Sequence, residues 1–398
     1  MPQALRSGSS ASAHALVSAA PASATCAGTD EWAATVAQEV LAATCWFDPG
    51  ERGKPYTASI KFSGRRLGIA GKPQPGDYFS QVETVEGVVP GSGPLALTTR
   101  VSGINPGEWI VSAEPVGRNS GARVVRSYEW SHHGGPRKVR PAFWYWRKPA
   151  ISPDPPRPVK TGLVAFARIP GVIPGAWPAL VALGVLVGLA VQAMLVARAG
   201  LDVPAALMVS LAASLAGLVG AKTWYLAVHQ RSWRAVVSEG LCIQGFLVGA
   251  LAVGTATLAL VHLPVGAFLD ATTPGLFFGM AIGRHGCFFG GCCAGRTTSS
   301  RWGMWTSDRR VGARRIPTQL MESLVCLGLG FATLLVILYR HPPIAGAAFV
   351  GAVAAYTLWR QVLLPLRAEP RKTSLGRPLS MATAALVLIV DLLLSIVA

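Results

Sequence analysis

Four ionisable side chains, Lys222, Asp270, Arg284 and Arg360, sit inside long apolar blocks of this chain. A charge there is costly and as a rule is kept for function. Each has a plainer reading as well. Lys222 and Arg360 lie near the ends of their blocks, from which a long side chain reaches water. Asp270 either caps the fourth apolar helix or pairs with a neighbouring base. Arg284 is harder to explain away, because it lies late in its block amid Gly283 and Gly286. A second set of reactive residues follows directly: Cys287, Cys292 and Cys293, with His285 beside them. Three readings stay open for these cysteines: small packing residues, thiol or redox chemistry, and metal ligation. Cys-x4-Cys-Cys is not a usual zinc spacing and no second cluster accompanies it. Packing is therefore the leading reading, and neither a metal nor a cofactor is expected.

The segment around Arg284 is the most informative in the chain. It reads Asp270-Ala-Thr-Thr-Pro-Gly-Leu-Phe-Phe-Gly-Met-Ala-Ile-Gly-Arg-His-Gly-Cys-Phe-Phe-Gly-Gly-Cys-Cys-Ala-Gly-Arg296, and beyond a basic loop Ile316-Pro-Thr-Gln-Leu-Met-Glu322 opens the next apolar block. This resembles the signature of the prolipoprotein diacylglyceryl transferases: Gly-Arg-x-Gly-(Asn or Cys)-Phe-x-x-Gly, then Gly-Arg, then Pro-(Ser/Thr)-Gln-Leu-x-Glu. The interval from Asp270 to Arg284, with Pro274 inside it, matches as well. Upstream, Glu239-Gly-Leu-Cys-Ile-Gln-Gly-Phe-Leu-Val-Gly249 resembles the family's third-helix stretch. Downstream, Arg360 and Arg367 match its basic positions at the end of the sixth helix. The resemblance covers about residues 170–398.

The resemblance implies a phosphatidylglycerol-dependent transferase of lipoprotein biogenesis in the bacterial cell membrane. A diacylglyceryl group passes from phosphatidylglycerol to the thiol of a prelipoprotein lipobox cysteine, forming a thioether and releasing glycerol phosphate. The residues suit this physically, since a guanidinium grips phosphate through a planar, charge-assisted fork. Arg284 and Arg360 are expected to hold the headgroup and stabilise the leaving charge. Gly295, Arg296, Asp270, Gln319, Glu322 and Arg367 are the further headgroup positions that the resemblance implies. Six arginines in the 296–315 loop are expected to draw anionic lipid to the site. The catalytic positions are Arg284, Gln244 and His285, and here the chain departs from the pattern. Gln244 stands where the family has histidine, and an amide cannot take a proton. Cys292 and Leu364 stand where acids are expected. His285 is the substitute base, although its neighbour position turns it to another helix face than Arg284. The alternative is a non-catalytic or repurposed lipid-binding membrane scaffold with an outer partner-binding domain.

Helices must carry these residues. The chain is 51% hydrophobic and only 14% charged, against roughly a quarter charged in a soluble domain, and its mean hydropathy is +0.42. The apolar blocks begin after Ile169, and spans of about the 20 residues that a bilayer core requires are predicted at 176–197, 203–224, 241–263, 266–289, 318–339, 343–362 and 380–398. The net charge of +17 lies largely in loops between these blocks, so membrane lipids rather than nucleic acid are the expected partner. Repeated glycines and alanines suit close helix packing.

Residues 1–170 are different in character. Residues 1–28 read as a disordered tail without the apolar centre of a secretory signal. Residues 29–150 read as a soluble β-rich domain of immunoglobulin- or fibronectin-like type, with period-two alternation at 56–62, 78–85, 95–101 and 109–113. Residues 31–44 read as an amphipathic helix before it. A Pro-rich linker follows at 151–170, preceded by an aromatic and basic stretch at 143–148 that suits either a membrane interface or a last strand of the β-rich domain. Residues 171–398 form the transmembrane transferase-like domain. The expected fold is therefore an all-α multi-pass membrane bundle of about seven helices, preceded by a small β-sandwich-like soluble domain. The expected location is the cytoplasmic membrane, with the N-terminal domain on the outer side. Loop charges alone favour the reverse orientation. On the outer side Cys26 and Cys45 are expected to be bridged.

Overall fold

The structure is a computed structural model that describes residues 39–116, 159–160, 162–163, 169–229, 242–340, 344–368 and 375–397. The expected tail, the 143–148 aromatic stretch, most of the Pro-rich linker, Glu239 and Cys26 lie outside the described residues.

Two antiparallel sheets form the N-terminal part. The strands are β1 (Glu39–Phe47), β2 (Tyr56–Arg66), β3 (Tyr78–Val88), β4 (Leu95–Val101), β5 (Glu108–Pro115), β6 (Val159–Lys160) and β7 (Gly162–Leu163). Leu41, Ala43, Cys45 and Phe47 alternate inward along β1 and share one core with Ile60, Phe62, Leu97 and Trp109, the period of two that a strand imposes. The expected helix at 31–44 is thus corrected over its described part: residues 39–44 are strand, since the sheet captures their alternation in spite of the helix-favouring alanines. Within the residues read as linker, β6 and β7 extend the edges of both sheets. β6 pairs with β5, and β7 with β1. Cys45 is a buried thiol whose pKa burial pushes up to about 12; the bridge expected of it involves Cys26, outside the described residues. Asp77 fastens a loop, accepting from Asn105 Nδ2 (2.9 Å), Gln74 N (3.0 Å) and Arg66 Nη1 (2.9 Å). The Asn105 bond is the foremost cause holding its carboxyl below the usual range.

Seven helices among the described residues are long and apolar enough to cross a bilayer. They are α1 (Ala176–Arg198), α2 (Val203–Val228), α3 (Ile243–Leu260), α4 (Val265–Gly290), α5 (Thr318–Leu335), α6 (Ala347–Leu363) and α7 (Gly376–Val397). A π turn (Val336–Arg340) prolongs α5, bringing that span to 23 residues. Apolar side chains face outward on most of them, as expected of helices solvated by lipid. α1 runs antiparallel along α4, and the two backbones meet at glycine: a Cβ on Gly184 would lie 2.5 Å from the Gly279 carbonyl oxygen. α2 and α3 pair in the same manner through Gly220 and Gly245. Small residues allow this approach, which lipid-embedded helices use for van der Waals packing.

Between α4 and α5 the chain forms a hairpin, β8 (Met304–Ser307) and β9 (Val311–Arg315). β9 pairs with β4, Ala96 opposite Gly312 and Leu97 opposite Val311, so the larger sheet runs β7-β1-β4-β9-β8. Val311 and Ala313 enter the N-terminal core, Trp46 stacks on Trp305 at 5.5 Å, and Trp305 Nε1 donates to Pro94 O. The stretch read as a lipid-attracting basic loop therefore carries a hairpin that joins the sheet. Arg310 binds Glu83 and the Thr84 carbonyl, and Arg315 binds Asp308.

Candidate active site

At the end of the bundle nearest the sheets, three helices contribute to one polar group. Arg284 comes from the last turns of α4, Glu322 from the first turns of α5, and Tyr356 and Arg360 from α6. A single carboxylate oxygen, Glu322 Oε1, accepts from Arg284 Nη2 (2.7 Å), Arg360 Nη1 (2.6 Å) and Tyr356 OH (2.6 Å). Arg284 Nη2 also reaches the Tyr356 hydroxyl at 3.2 Å. The Glu322 side chain is 4% exposed, Arg284 17% and Arg360 35%. One buried anion thus holds two cations side by side, leaving the cluster with a net positive charge.

Arg284 also lines a cavity of about 650 Å³ that lies between the α1–α4 and α2–α3 pairs. Its wall on α4 extends from Val265 to Cys287, about 33 Å at helical rise, which matches a hydrocarbon core in depth. The lining is mostly apolar, with Arg284 at one end, the hydroxyls of Ser214 and Thr255 on its wall, and a polar node where Gln192 Nε2 donates to Ser210 (2.7 Å) and Thr272 (2.8 Å). A long apolar space with a guanidinium at its head suits an anionic amphiphile.

The other expected residues divide into several groups. Gln319, Gly295, Arg296 and Arg367 build the frame beside the cluster. Gln319 Nε2 donates to Cys292 O at 2.9 Å, Gly295 bridges to Arg367, and Arg296 Nε donates to Arg367 O at 3.3 Å. Gly295 packs so tightly on the Ile316 carbonyl that no side chain fits there. His285 points away from Arg284 into the α4–α5 contact, where its Nδ1 meets Ala281 O (3.0 Å) and Ser323 Oγ (3.3 Å). Gln244 is exposed at the start of α3 and accepts from Cys242 Sγ. Asp270 belongs elsewhere: its carboxylate accepts from Gly346 N (2.7 Å) and Phe349 N (3.1 Å) at the start of α6. Fourteen residues before Arg284, that is about 21 Å along α4, so it caps the sixth helix and does not touch the cluster.

Sequence reasoning missed Tyr356. Its signal is its position four residues before Arg360, which puts both side chains on one face of α6.

A sequence model of the prolipoprotein diacylglyceryl transferase family matches residues 167–397. Among similar proteins, a phosphatidylglycerol–prolipoprotein diacylglyceryl transferase of Dehalococcoides mccartyi is 34% identical over 126 residues, which is 31% of this chain and 48% of that one. Transferase 2 of Streptomyces coelicolor is 37% identical over 132 residues, 32% of this chain and 41% of that one. The transferase of Tropheryma whipplei is 25% identical over 196 residues, 45% and 71% of the two chains. The chain thus spans less than half the length of the first two relatives.

Proposed function

The chain belongs to the prolipoprotein diacylglyceryl transferase family, and we propose that it moves a diacylglyceryl group from phosphatidylglycerol to the cysteine thiol of a prelipoprotein lipobox segment. The observation that carries this reading is Arg284 at the head of a bilayer-deep apolar cavity, joined through Glu322 to a second cation, Arg360. Phosphatidylglycerol has the matching shape, one phosphodiester charge above two acyl chains.

The reaction breaks the bond between the glycerol carbon and the phosphate oxygen, so the phosphate passes from one negative charge to two. Arg284 and Arg360 are held in place before the charge develops, which is the condition for electrostatic stabilisation of a transition state. Glu322 and Tyr356 fix their positions, so little reorganisation accompanies the step. Gln244 neither takes a proton nor touches the cluster, and the acceptor thiol must lose its proton by another route. The sheets share a membrane end with Arg284, and on this reading that end is the outer face of the cytoplasmic membrane, where prelipoproteins emerge.

The test is incubation of the purified full chain with labelled phosphatidylglycerol and a lipobox peptide. Thioether product with release of glycerol phosphate is expected. Lipid binding without product would favour a lipid-binding scaffold instead.

A further inference from the structure

Cys287, Cys292 and Cys293 bring their three sulfur atoms within 4.8 Å of one another. The local fold produces this convergence. α4 ends at Gly290, Gly291 takes the left-handed conformation (φ 72°), and Cys292 N donates to Cys287 O at 3.0 Å. Cys293 is left-handed as well, at φ 55°, so the chain turns back on the helix end. The first turn of α5 pins this turn, through Gln319 Nε2 to Cys292 O and Thr318 Oγ1 to Cys293 O. Three thiols therefore meet on a frame anchored at both sides.

Zinc binds thiolate at about 2.3 Å, which spaces the sulfurs of a zinc thiolate site about 3.8 Å apart. Sulfurs already within 4.8 Å reach that spacing through small side-chain rotations. The surrounding charge suits an anionic metal–thiolate group. Arg309, whose Nε donates to Gly290 O at 2.7 Å, interacts electrostatically with Cys292 and Cys287, and Arg284 does so with Cys287. Cys287 lies one helical turn beyond Arg284, and both line the cavity.

We propose that Cys287, Cys292 and Cys293 form a tris-thiolate site for a zinc ion at the edge of the cavity, and that its fourth position takes the acceptor thiol. The second clause rests on the transferase reading, whereas the first stands without it. Zinc bound to three protein thiolates keeps a fourth, exchangeable position, and a thiol that coordinates there is deprotonated outright. The proton goes to water, so no protein base is required and Gln244 is not an obstacle. The bound thiolate sulfur then attacks the glycerol carbon that bears the phosphate. A carbon–sulfur bond forms as the carbon–oxygen bond breaks, and the electron pair leaves with the phosphate oxygen onto Arg284 and Arg360. The thioether is a weak ligand and departs, with zinc unchanged in oxidation state.

The experiment uses the full chain purified in detergent without chelator. About one zinc ion per chain is expected by elemental analysis, and cobalt in its place is expected to show thiolate-to-metal charge-transfer absorption. Zinc should also protect the three cysteines of the wild type from iodoacetamide, read residue by residue in mass spectra. That measurement needs no variant. Cys292→Ser should weaken zinc binding at least about 100-fold without altering elution from a sizing column. Equal alkylation with and without zinc, or a disulfide within the cluster, overturns the site. Zinc retained without thioether formation overturns the transferase reading and leaves the site standing. Equal thioether formation in zinc-free protein overturns the role in thiol activation alone.

Discussion

Glu322 Oε1 accepts three hydrogen bonds from two cations and a phenol, so its charge governs the geometry of the whole cluster. Removing one partner of a buried ionic group costs about 3–5 kcal/mol, because the remaining charges lose their compensation. Glu322→Gln should therefore lower thermal stability in detergent and separate the two guanidiniums, reducing transfer about 100-fold or more. Tyr356→Phe is the milder change. It removes one hydroxyl and should cost about 1 kcal/mol of stability, with a loss of transfer well short of that in Glu322→Gln. Equal losses in the two variants would show that the phenol, not the carboxylate, sets the geometry. Arg284, Glu322 and Arg360 were legible in the sequence because each stands in or beside an ordered motif. Tyr356 was not, since its role depends on the rotation of α6 against α5, which spacing on one helix does not give. The meeting of Cys287 with Cys292 and Cys293 was hidden for a related reason: it depends on two left-handed residues, Gly291 and Cys293, past the end of α4.

At the scale of elements, the seven apolar blocks were legible with their ends within about four residues, since a bilayer requires helices of a set length and little charge. Asp270 shows where such reading stops. A carboxylate within an apolar block signals importance but not which helix it serves, and here it caps α6 from α4. Asp270→Ala should cost about 1 kcal/mol, the usual value of a lost cap, measured as a lower unfolding temperature. The KM for phosphatidylglycerol should stay unchanged in that variant, and a raised KM would return Asp270 to the headgroup. The strands β2 to β5 were also legible, from alternation and turn residues. β1 was not, because alanine-rich sequence at 39–44 satisfies a helical reading until its neighbours in the sheet are known. Asp77 provides a pH test of this region. Its pKa is depressed in the fold, so its contribution is complete above the unfolded carboxylate value and is lost as pH falls through the lowered one. Asp77→Asn should therefore flatten the loss of stability below about pH 4, and an unaltered acid profile would contradict the assigned bonds.

For the whole molecule, the shared sheet is the main structural result beyond the bundle. β9 carries Val311 and Ala313 into the N-terminal core, a pairing distant in sequence that no local pattern announces. Deleting residues 1–168 should leave the helices inserted but expose the edge of β9 and the face of Trp305, and an open apolar edge favours association. The fragment should thus elute as larger species than the full chain, and a monodisperse fragment would show that the halves are independent. Protease added to intact spheroplasts should remove the sheets if they lie outside, and protection would reverse the orientation. In the proposed reaction Arg284, at the head of the cavity, and Arg360, tied to it through Glu322, hold a lipid phosphate while its carbon–oxygen bond breaks. The most direct measurement compares thioether formation from labelled phosphatidylglycerol and a lipobox peptide in wild type and Arg284→Lys, at matched folding. A lysine keeps the charge but not the two-pronged grip, so the rate should fall about 100-fold or more, and undiminished transfer in Arg284→Lys would contradict the account.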